Sequence, residues 1–214
     1  TVNAILSKGS DLYAATGYDN WQWGEFGGVY RSTDNGSTWI AAGLVDTTIL
    51  SLTYMENYLF AGTLRTIYRT SDSGLTWVYA GDGLPANTRV ESFGKISEHL
   101  FAGTPRGIYL SSDFGTNWVA VNSGLPVDSI NRMSLATYMG NLFVRTNRGI
   151  YLSTDMGTNW TPINTGLNND ALYVYAVAAH GSDLFVGTRN GVWRRPLTQI
   201  ITSLQTSQPR MTLF

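Results

Sequence analysis

Apolar residues fall in short runs along this chain, broken by clusters of Gly, Asn, Asp, Ser and Thr, and the runs return at a fixed interval. "DLYAATG" at 11, "YLFAGT" at 58, "HLFAGT" at 99, "NLFVRT" at 141 and "DLFVGT" at 183 share one pattern. Each is followed by a second run, "GVYRST", "TIYRTS", "GIYLSS", "GIYLST" or "GVWRRP". From Leu59 to Leu100 is 41 residues and from Leu100 to Leu142 and Leu142 to Leu184 is 42 each. A repeat of about 40 to 45 residues made of short strands is the period of a four-stranded propeller blade. In the third copy the strands A to D read "RVESFGKI", "HLFAGT", "GIYLSS" and "NWVAVN". Strand A carries small residues at one register (Ala4, Ser51, Ser92, Ser134, Ala176) beside larger ones (Ile5, Leu52, Phe93, Leu135, Val177), as a crowded inner strand requires. The pattern predicts an all-β protein, a β-propeller of five blades of four antiparallel strands. The blades span about 1–46, 47–86, 87–128, 129–171 and 172–204, with one domain over 1–197 and a tail or linker at 205–214.

Between strands C and D a second motif recurs as "STDNGSTW" at 32, "TSDSGLTW" at 70, "SSDFGTNW" at 111 and "STDMGTNW" at 153. Asp34, Asp72, Asp113 and Asp155 can accept hydrogen bonds from N–H groups of their own turn, and the hydroxyl residue two places earlier can brace it. Gly36, Gly74, Gly115 and Gly157 suit a positive φ. Trp39, Trp77, Trp118 and Trp160 then open strand D, where an indole can wedge between blades. A turn needed in every blade reads as a staple, whereas a catalytic site is built once.

With these residues in register, the chain resembles the bacterial neuraminidase repeat, or Asp-box, family of sialidases, xyloglucanases, sortilin-type receptors and photosystem II assembly factors. The resemblance implies a β-propeller and a structural role for the four Asp residues, at the blade periphery and away from the ligand face. Sialidase activity would further call for an arginine triad, a Tyr nucleophile with a Glu partner, an acid/base Asp and an early Phe/Tyr-Arg-Ile-Pro segment. That segment is absent; "VYRST" at 29 and "IYRTS" at 67 come nearest and are strand C copies. No catalytic residue is therefore assigned, and a glycoside hydrolase stays as the alternative to a binding module.

Composition narrows the partners. Charged residues are 14% and the formal net charge is −1, with no basic run, so a phosphate-binding footprint for nucleic acid is missing. There is no Cys, and His99 and His180 lack partners at ligand spacing, so neither a metal nor a cofactor is expected. No apolar run reaches membrane-span length.

Residues outside the repeat carry the functional expectations. From Leu12 to Asp34 is 22 positions, against 13 in the next three copies, so the first blade holds nine extra residues in its B to C connection. "YDNWQWGEFGG" at 18 to 28 contains Tyr18, Trp21, Trp23 and Phe26 with Asp19 and Glu25. As a small hairpin it would turn Trp21 and Trp23 to one side, an aromatic platform for sugars flanked by carboxylates, or would fold over the propeller mouth or onto another subunit. Arg65, Arg106, Arg148 and Arg189 fall in B to C turns, where a closed propeller would set them around one rim facing an anionic sugar or a carboxylate-bearing partner, or where each pairs with the D to A acids Asp46, Asp82, Asp128 and Asp170. Arg132 occupies a strand A position that is apolar elsewhere, with Glu91 as a candidate partner.

The fifth copy departs from the pattern: Leu197 stands where the box Asp is due, and Pro196 interrupts the strand. The fifth blade is therefore expected to be incomplete or closed by the C-terminal segment: "TQIITSL" at 198 to 204 can return as its fourth strand, or the edge can pair with another subunit. "GVWRRPL" also resembles propeller endings of Bacteroidetes-type proteins exported by type IX secretion. The resemblance implies a secreted, cell-surface or periplasmic location and a larger parent protein. The combined expectation is an exported, non-catalytic binding or assembly module acting through its B–C and D–A loops, with a glycan or protein as partner; a structural subunit of a larger assembly is the third option.

Overall fold

The computed structural model describes residues 1–20, 24–126, 134–167, 173–203 and 212–213. Five four-stranded antiparallel sheets follow one another along the chain. The first is β1 (Val2–Lys8), β2 (Asp11–Asn20), β3 (Gly24–Ser32) and β4 (Ile40–Ala41); the second is β5 (Ile49–Met55), β6 (Tyr58–Thr63), β7 (Ile67–Thr70) and β8 (Val78–Tyr79). The third is β9 (Ser92–Ile96), β10 (His99–Thr104), β11 (Gly107–Ser111) and β12 (Val119–Ala120), and the fourth is β13 (Ser134–Tyr138), β14 (Asn141–Thr146), β15 (Gly149–Ser153) and β16 (Thr161–Pro162). The fifth contains β17 (Val174–His180), β18 (Asp183–Thr188), β19 (Gly191–Pro196) and, after helix α1 (Leu197–Ser203), β20 (Thr212–Leu213). Each sheet is a meander in chain order, so every connection between neighbouring strands is local.

The small residues of strand A have a geometric reason. Ala4 lies opposite Ala15, Ser51 opposite Gly62, Ser92 opposite Gly103 and Ala176 opposite Gly187. A side chain at Gly62 would meet Ser51 Oγ and the Val90 carbonyl, the latter at 2.7 Å, so this register is closed to bulk. Ser134 breaks the rule by facing Arg145. Bulges in the first, second and fifth inner strands each follow the first residue, Val2, Ile49 or Val174.

By contact density the chain divides into two units, residues 1–104 with 109–119, and residues 105–108 with 120–214; the division runs through the third sheet. Within the first unit, Tyr13, Ala15, Val29 and Ala42 of the first repeat pack with Ile49, Leu59 and Ala61 of the second. Met55, Phe60, Ile67 and Ala80 pack in turn with Val90, Leu100, Ala102 and Trp118. In the second unit, Phe143, Ile150, Leu152 and Ile163 pack against Val174, Leu184, Val186 and Trp193. Both faces of the interior sheets are therefore buried, which is why their second strands read "LFAG" and "LFV" rather than alternating with polar residues.

The fifth repeat differs from the expected strand over 198–204. Pro196 ends β19, and the next residues form α1, which buries Leu197 and Ile200 against the fourth and fifth sheets. Their spacing of three puts both on one helical face, where a strand would have split them. The fourth strand is supplied instead by Thr212–Leu213, paired to Arg194 and Trp193, within the stretch expected to be a tail. Short four-stranded repeats, each closed by a two-residue outer strand in the first four sheets, give the β-propeller architecture that the repeat period predicts.

Candidate ligand-binding face

The four box turns are self-contained. In the first, Asp34 Oδ1 accepts from the Thr38 N–H at 2.8 Å and the Ser32 hydroxyl at 2.7 Å, and Oδ2 accepts from the Thr38 hydroxyl at 2.6 Å. The Ser32 hydroxyl oxygen in turn accepts from the Gly36 N–H at 2.8 Å. Asp72, Asp113 and Asp155 repeat the scheme with Thr70 and Thr76, Ser111 and Asn117, and Ser153 and Asn159. These bonds hold the ionised form. Asp34 falls from 3.8 to about 2, mainly through the Thr38 hydroxyl and N–H, and Asp72 falls to about 2 through the hydroxyls of Thr70 and Thr76. Asp155 is lowered chiefly by the Asn159 side chain; at Asp113 partial burial opposes the shift and the bonds from Asn117 and Ser111 outweigh it. A general acid needs a carboxyl pushed the other way, so these four groups brace turns.

Three of the four Trp residues reach the preceding repeat. The indole N–H groups of Trp77, Trp118 and Trp160 donate at 2.8 Å to the carbonyls of Ala42, Ala80 and Val121, each just past the fourth strand of the preceding repeat. Trp39 departs from the expectation: its indole N–H bonds Gly36 of its own turn at 3.1 Å, and the ring is 38% exposed. Each Trp stands immediately ahead of its outer strand rather than inside it.

A different conserved-in-register residue organises the B to C turns. Thr63, Thr146 and Thr188, at the end of each second strand, are buried; Thr63 Oγ1 accepts from the N–H groups of Arg65 and Thr66, and Thr146 Oγ1 from that of Arg148. Their hydroxyls donate to the carbonyls of Thr66, Gly149 and Gly191. The recurring Thr of "FAGT" and "FVGT" was the signal for this brace, and it is the residue that presents the turn arginines. Arg65, Arg106, Arg148 and Arg189 all lie on these turns with exposed side chains.

The nine-residue insertion lengthens the β2–β3 hairpin, whose pairing continues through Tyr18 with Phe26 and Asp19 with Glu25 to Asn20 with Gly24. The hairpin reading of 18–28 therefore holds for its stem. Tyr18 and Phe26 are exposed and stack at 6.1 Å between centroids, 30° apart. Trp21 and Trp23 lie outside the described residues, as do Arg132, Asp128 and Asp170. Glu91, the candidate partner of Arg132, makes an ion pair with Arg89 at 3.5 Å.

The hairpin stem is tied to the loop that leads into the second repeat. The Thr48 hydroxyl donates to the Tyr18 carbonyl at 3.1 Å, and the Asp46 N–H donates to the Gly27 carbonyl at 3.1 Å. A side chain at Gly17 would meet Thr48 Cα at 2.8 Å, so only glycine permits this approach. Leu44 and Asp46 hold positive φ of 52° and 59°, a strained loop kept in shape by its anchors. Asp46 and Thr47 from this loop, with Thr63, Arg65 and Tyr68 of the second repeat, line an open cleft of about 370 Å³. One carboxylate, one guanidinium and the side chains of two threonines and a tyrosine thus share a recess whose loop is hydrogen-bonded to the hairpin stem, a set suited to orienting a small polar ligand.

Arg145 and Arg195 were not anticipated. Arg145 stands where the second, third and fifth repeats carry glycine and the first carries Ala15, is 7% exposed, and donates to the Tyr175 carbonyl at 3.0 Å; Arg195 is 1% exposed, with burial working against its charge. The signal for Arg145 was "NLFVRT" beside three "GT" endings. Among the described residues no group of three or more His, Asp or Glu side chains is placed to hold a metal ion, and no helix is long and apolar enough to cross a membrane.

No protein-family model and no curated protein matches the chain. Solved structures do. An ancestral GH74 enzyme aligns over 100% of this chain and 31% of its own, with TM-score 0.75 and 17% identity. PorZ, a surface component of the type-IX secretion system of Porphyromonas gingivalis, aligns over 92% of this chain and 25% of its own, with TM-score 0.65 and 16% identity. YCF48 bound to D1 peptide aligns over 99% of this chain and 74% of its own, with TM-score 0.63 and 16% identity. The chain thus spans about a third of the GH74 enzyme and a quarter of PorZ. These are propeller proteins, some enzymes and some not, and what they share with this chain is the β-propeller fold.

Proposed function

We propose that this protein is an exported, non-catalytic binding and assembly module of the Asp-box propeller type. Its ligand face is formed by B–C turns and D–A loops, and its ligand is a glycan or a carboxylate-bearing protein segment. The observation that carries this reading is the cleft lined by Asp46, Thr47, Thr63, Arg65 and Tyr68, whose loop is hydrogen-bonded to the stem of the hairpin that carries the exposed Tyr18 and Phe26. Arg65 serves a carboxylate, the aromatic pair serves a sugar ring or an apolar side chain, and the box acids are occupied within their own turns. Trp21 and Trp23 extend the aromatic set in this proposal, and Arg106, Arg148 and Arg189 are its positive counterparts in later repeats. PorZ supports export and surface assembly by analogy, as does the "GVWRRPL" ending, and the peptide-bound YCF48 supports a peptide partner.

A glycan array and a carboxylate-terminated peptide library, followed by titration calorimetry on the hits, test the proposal. Arg65→Ala and the pair Trp21→Ala with Trp23→Ala should each weaken binding at least about tenfold, roughly 1.4 kcal/mol. Unchanged affinity in all variants removes the cleft from consideration. The GH74 match keeps a hydrolase as the second reading; release of reducing ends from a polysaccharide panel by the purified chain would favour it over a binding module.

A further inference from the structure

The cleft at Asp46 and Arg65 has two chemically opposed walls. The first is the loop between the first and second sheets. Seven residues, 42–48, lead from β4 to β5, against ten, 80–89, from β8 to Val90, which precedes Ser92 as Ile49 precedes Ser51. The shorter loop turns through the left-handed Leu44 and Asp46, and it is fixed by the Asp46 N–H on Gly27, the Thr47 N–H on the Leu44 carbonyl at 3.2 Å and the Thr48 hydroxyl on Tyr18. Its main chain is anchored while two of its side chains are left over: among the described residues nothing hydrogen-bonds to or pairs with the Asp46 carboxylate or the Thr47 hydroxyl.

The other wall comes from the second repeat. Thr63 spends its hydroxyl on the Thr66 carbonyl, which leaves Arg65 and Tyr68 to meet a ligand. The Tyr68 ring is braced edge-on by Tyr79, 6.5 Å between centroids and 84° apart. Tyr79 lies opposite Tyr68 in the sheet, where the first and fourth sheets set Ala41 opposite Tyr30 and Pro162 opposite Tyr151. The aromatic wall is thus particular to this repeat among those three.

Each group limits what can bind. A carboxylate only accepts, so Asp46 calls for O–H or N–H donors. A guanidinium only donates, and its fork of five N–H groups lets Arg65 hold a ligand carboxylate besides its contacts within the protein. A bare carboxylate would face Asp46, an ammonium would face Arg65, and a neutral sugar would leave the guanidinium without an anion. The flat Tyr68 ring suits the C–H face of a pyranose. At about 370 Å³ the cleft is near the small end of the roughly 300 to 1,000 Å³ of ligand sites, room for one sugar residue, and it is open enough for that residue to belong to a chain.

We infer, resting on the ligand face proposed above, that the cleft binds a hexuronic acid residue of an acidic polysaccharide. Its carboxylate lies on Arg65, its ring hydroxyls donate to Asp46 and meet Thr47, and its ring face packs on Tyr68. This sugar uses both charges and the ring, and it narrows the ligand from a glycan or a carboxylate-bearing segment to one class.

Titration calorimetry with a galacturonic acid oligomer, and with the same oligomer after its carboxyls are reduced to hydroxymethyl groups, tests it, because the two differ only in the group that Arg65 reads. The parent should bind the acid at least about tenfold more tightly than the reduced form. Arg65→Ala should remove that preference by weakening the acid form alone. Asp46→Asn, with a side chain that tolerates positive φ, and Tyr68→Ala should each weaken both forms, since hydroxyls and ring are common to them. Far-UV circular dichroism reports folding, and Thr47→Val replaces Asp46→Asn if that variant unfolds. Equal affinity for the two oligomers, or a preference that survives Arg65→Ala, overturns the inference. Tighter binding of a sialylated oligosaccharide, a carboxylate-terminated peptide or a free amino acid in the same cleft also overturns it and leaves the ligand face standing; a parent that binds none of these overturns both.

Discussion

The turn at 32–39 and the turn at 111–118 share nearly the same hydrogen bonds and have very different surroundings. Asp34 and Asp113 each accept from the hydroxyl two residues earlier and from the backbone four residues later. Yet Trp118 is 2% exposed and reaches Ala80 of the preceding repeat, while Trp39 is 38% exposed and bonds only its own turn among the described contacts. The motif therefore shapes itself without help, and its Trp becomes a structural wedge only when a preceding repeat arrives. Trp118→Ala should cost about 3 to 5 kcal/mol in urea unfolding, the range for a buried aromatic, and Trp39→Ala about 1 kcal/mol or less. Equal losses would break the comparison, because they would mean that Trp39 is buried by something the isolated chain does not show.

Glycine substitutions separate turn geometry from packing in the same pair of environments. Gly36 and Gly74 have φ of 86° and 96°, so alanine is strained at both, by about 1 kcal/mol. At Gly74 the added methyl also meets the Ala42 carbonyl oxygen at 2.6 Å, which overpacking makes worth roughly 1 to 3 kcal/mol more. Gly74→Ala should therefore lower the urea midpoint well beyond Gly36→Ala, and a matched pair of midpoints would show that the preceding repeat yields freely.

Repetition made the fold legible and also set the limit of what was legible. The period, the strands of the middle repeats and the bracing role of the four Asp residues follow from residues that recur in register, because each repeat solves the same packing problem. The fifth repeat is closed by the C-terminal segment, as one of the two expectations had it, but not by the stretch offered for it: "TQIITSL" satisfies a strand by composition, whereas Leu197 and Ile200 bury together on one face of α1, and the sheet is completed by Thr212–Leu213. The candidate cleft was half visible. Arg65, Asp46 and the aromatic hairpin stood out in the sequence, but Thr47 and Tyr68 did not: Thr47 lies on a loop held to the hairpin stem by the Asp46 to Gly27 and Thr48 to Tyr18 bonds, which cross between segments distant in sequence, and Tyr68 reads as an ordinary strand C tyrosine. Arg145 was passed over because its chain neighbours fit the repeat, although "NLFVRT" departs at this one position from the "GT" endings of the second, third and fifth repeats.

Acid titration addresses the part of the turn that ought not to differ between environments. Asp34 and Asp72 drop from 3.8 to about 2 through bonds within their own turns. The unfolded chain then binds more protons than the folded one between these values, so the stability they contribute is present above about pH 4 and is lost as the pH falls toward 2. Melting temperatures between pH 5 and pH 2 should fall, and Asp34→Asn and Asp72→Asn should each flatten the fall by similar amounts, even though Trp39 and Trp77 sit in unlike surroundings. A much larger effect at Asp72 would mean that the preceding repeat strengthens the turn itself.

The smallest expected effect concerns the residue between Asp and Gly, which was not foreseen to need a special conformation. Asn35, Ser73, Phe114 and Met156 all have positive φ, from 55° to 60°, so each box turn holds two consecutive left-handed residues. Asparagine tolerates this region and serine does so less well. Ser73→Gly should relieve strain and offset most of it by the greater freedom of glycine when unfolded, leaving a gain of a few tenths to about 1 kcal/mol in urea unfolding. Asn35→Gly should change stability by less, because the strain there is already small. If Ser73→Gly instead destabilised the chain, the serine would be making a contact with the preceding repeat, and the packing that separates the later turns from the first would extend to this position as well.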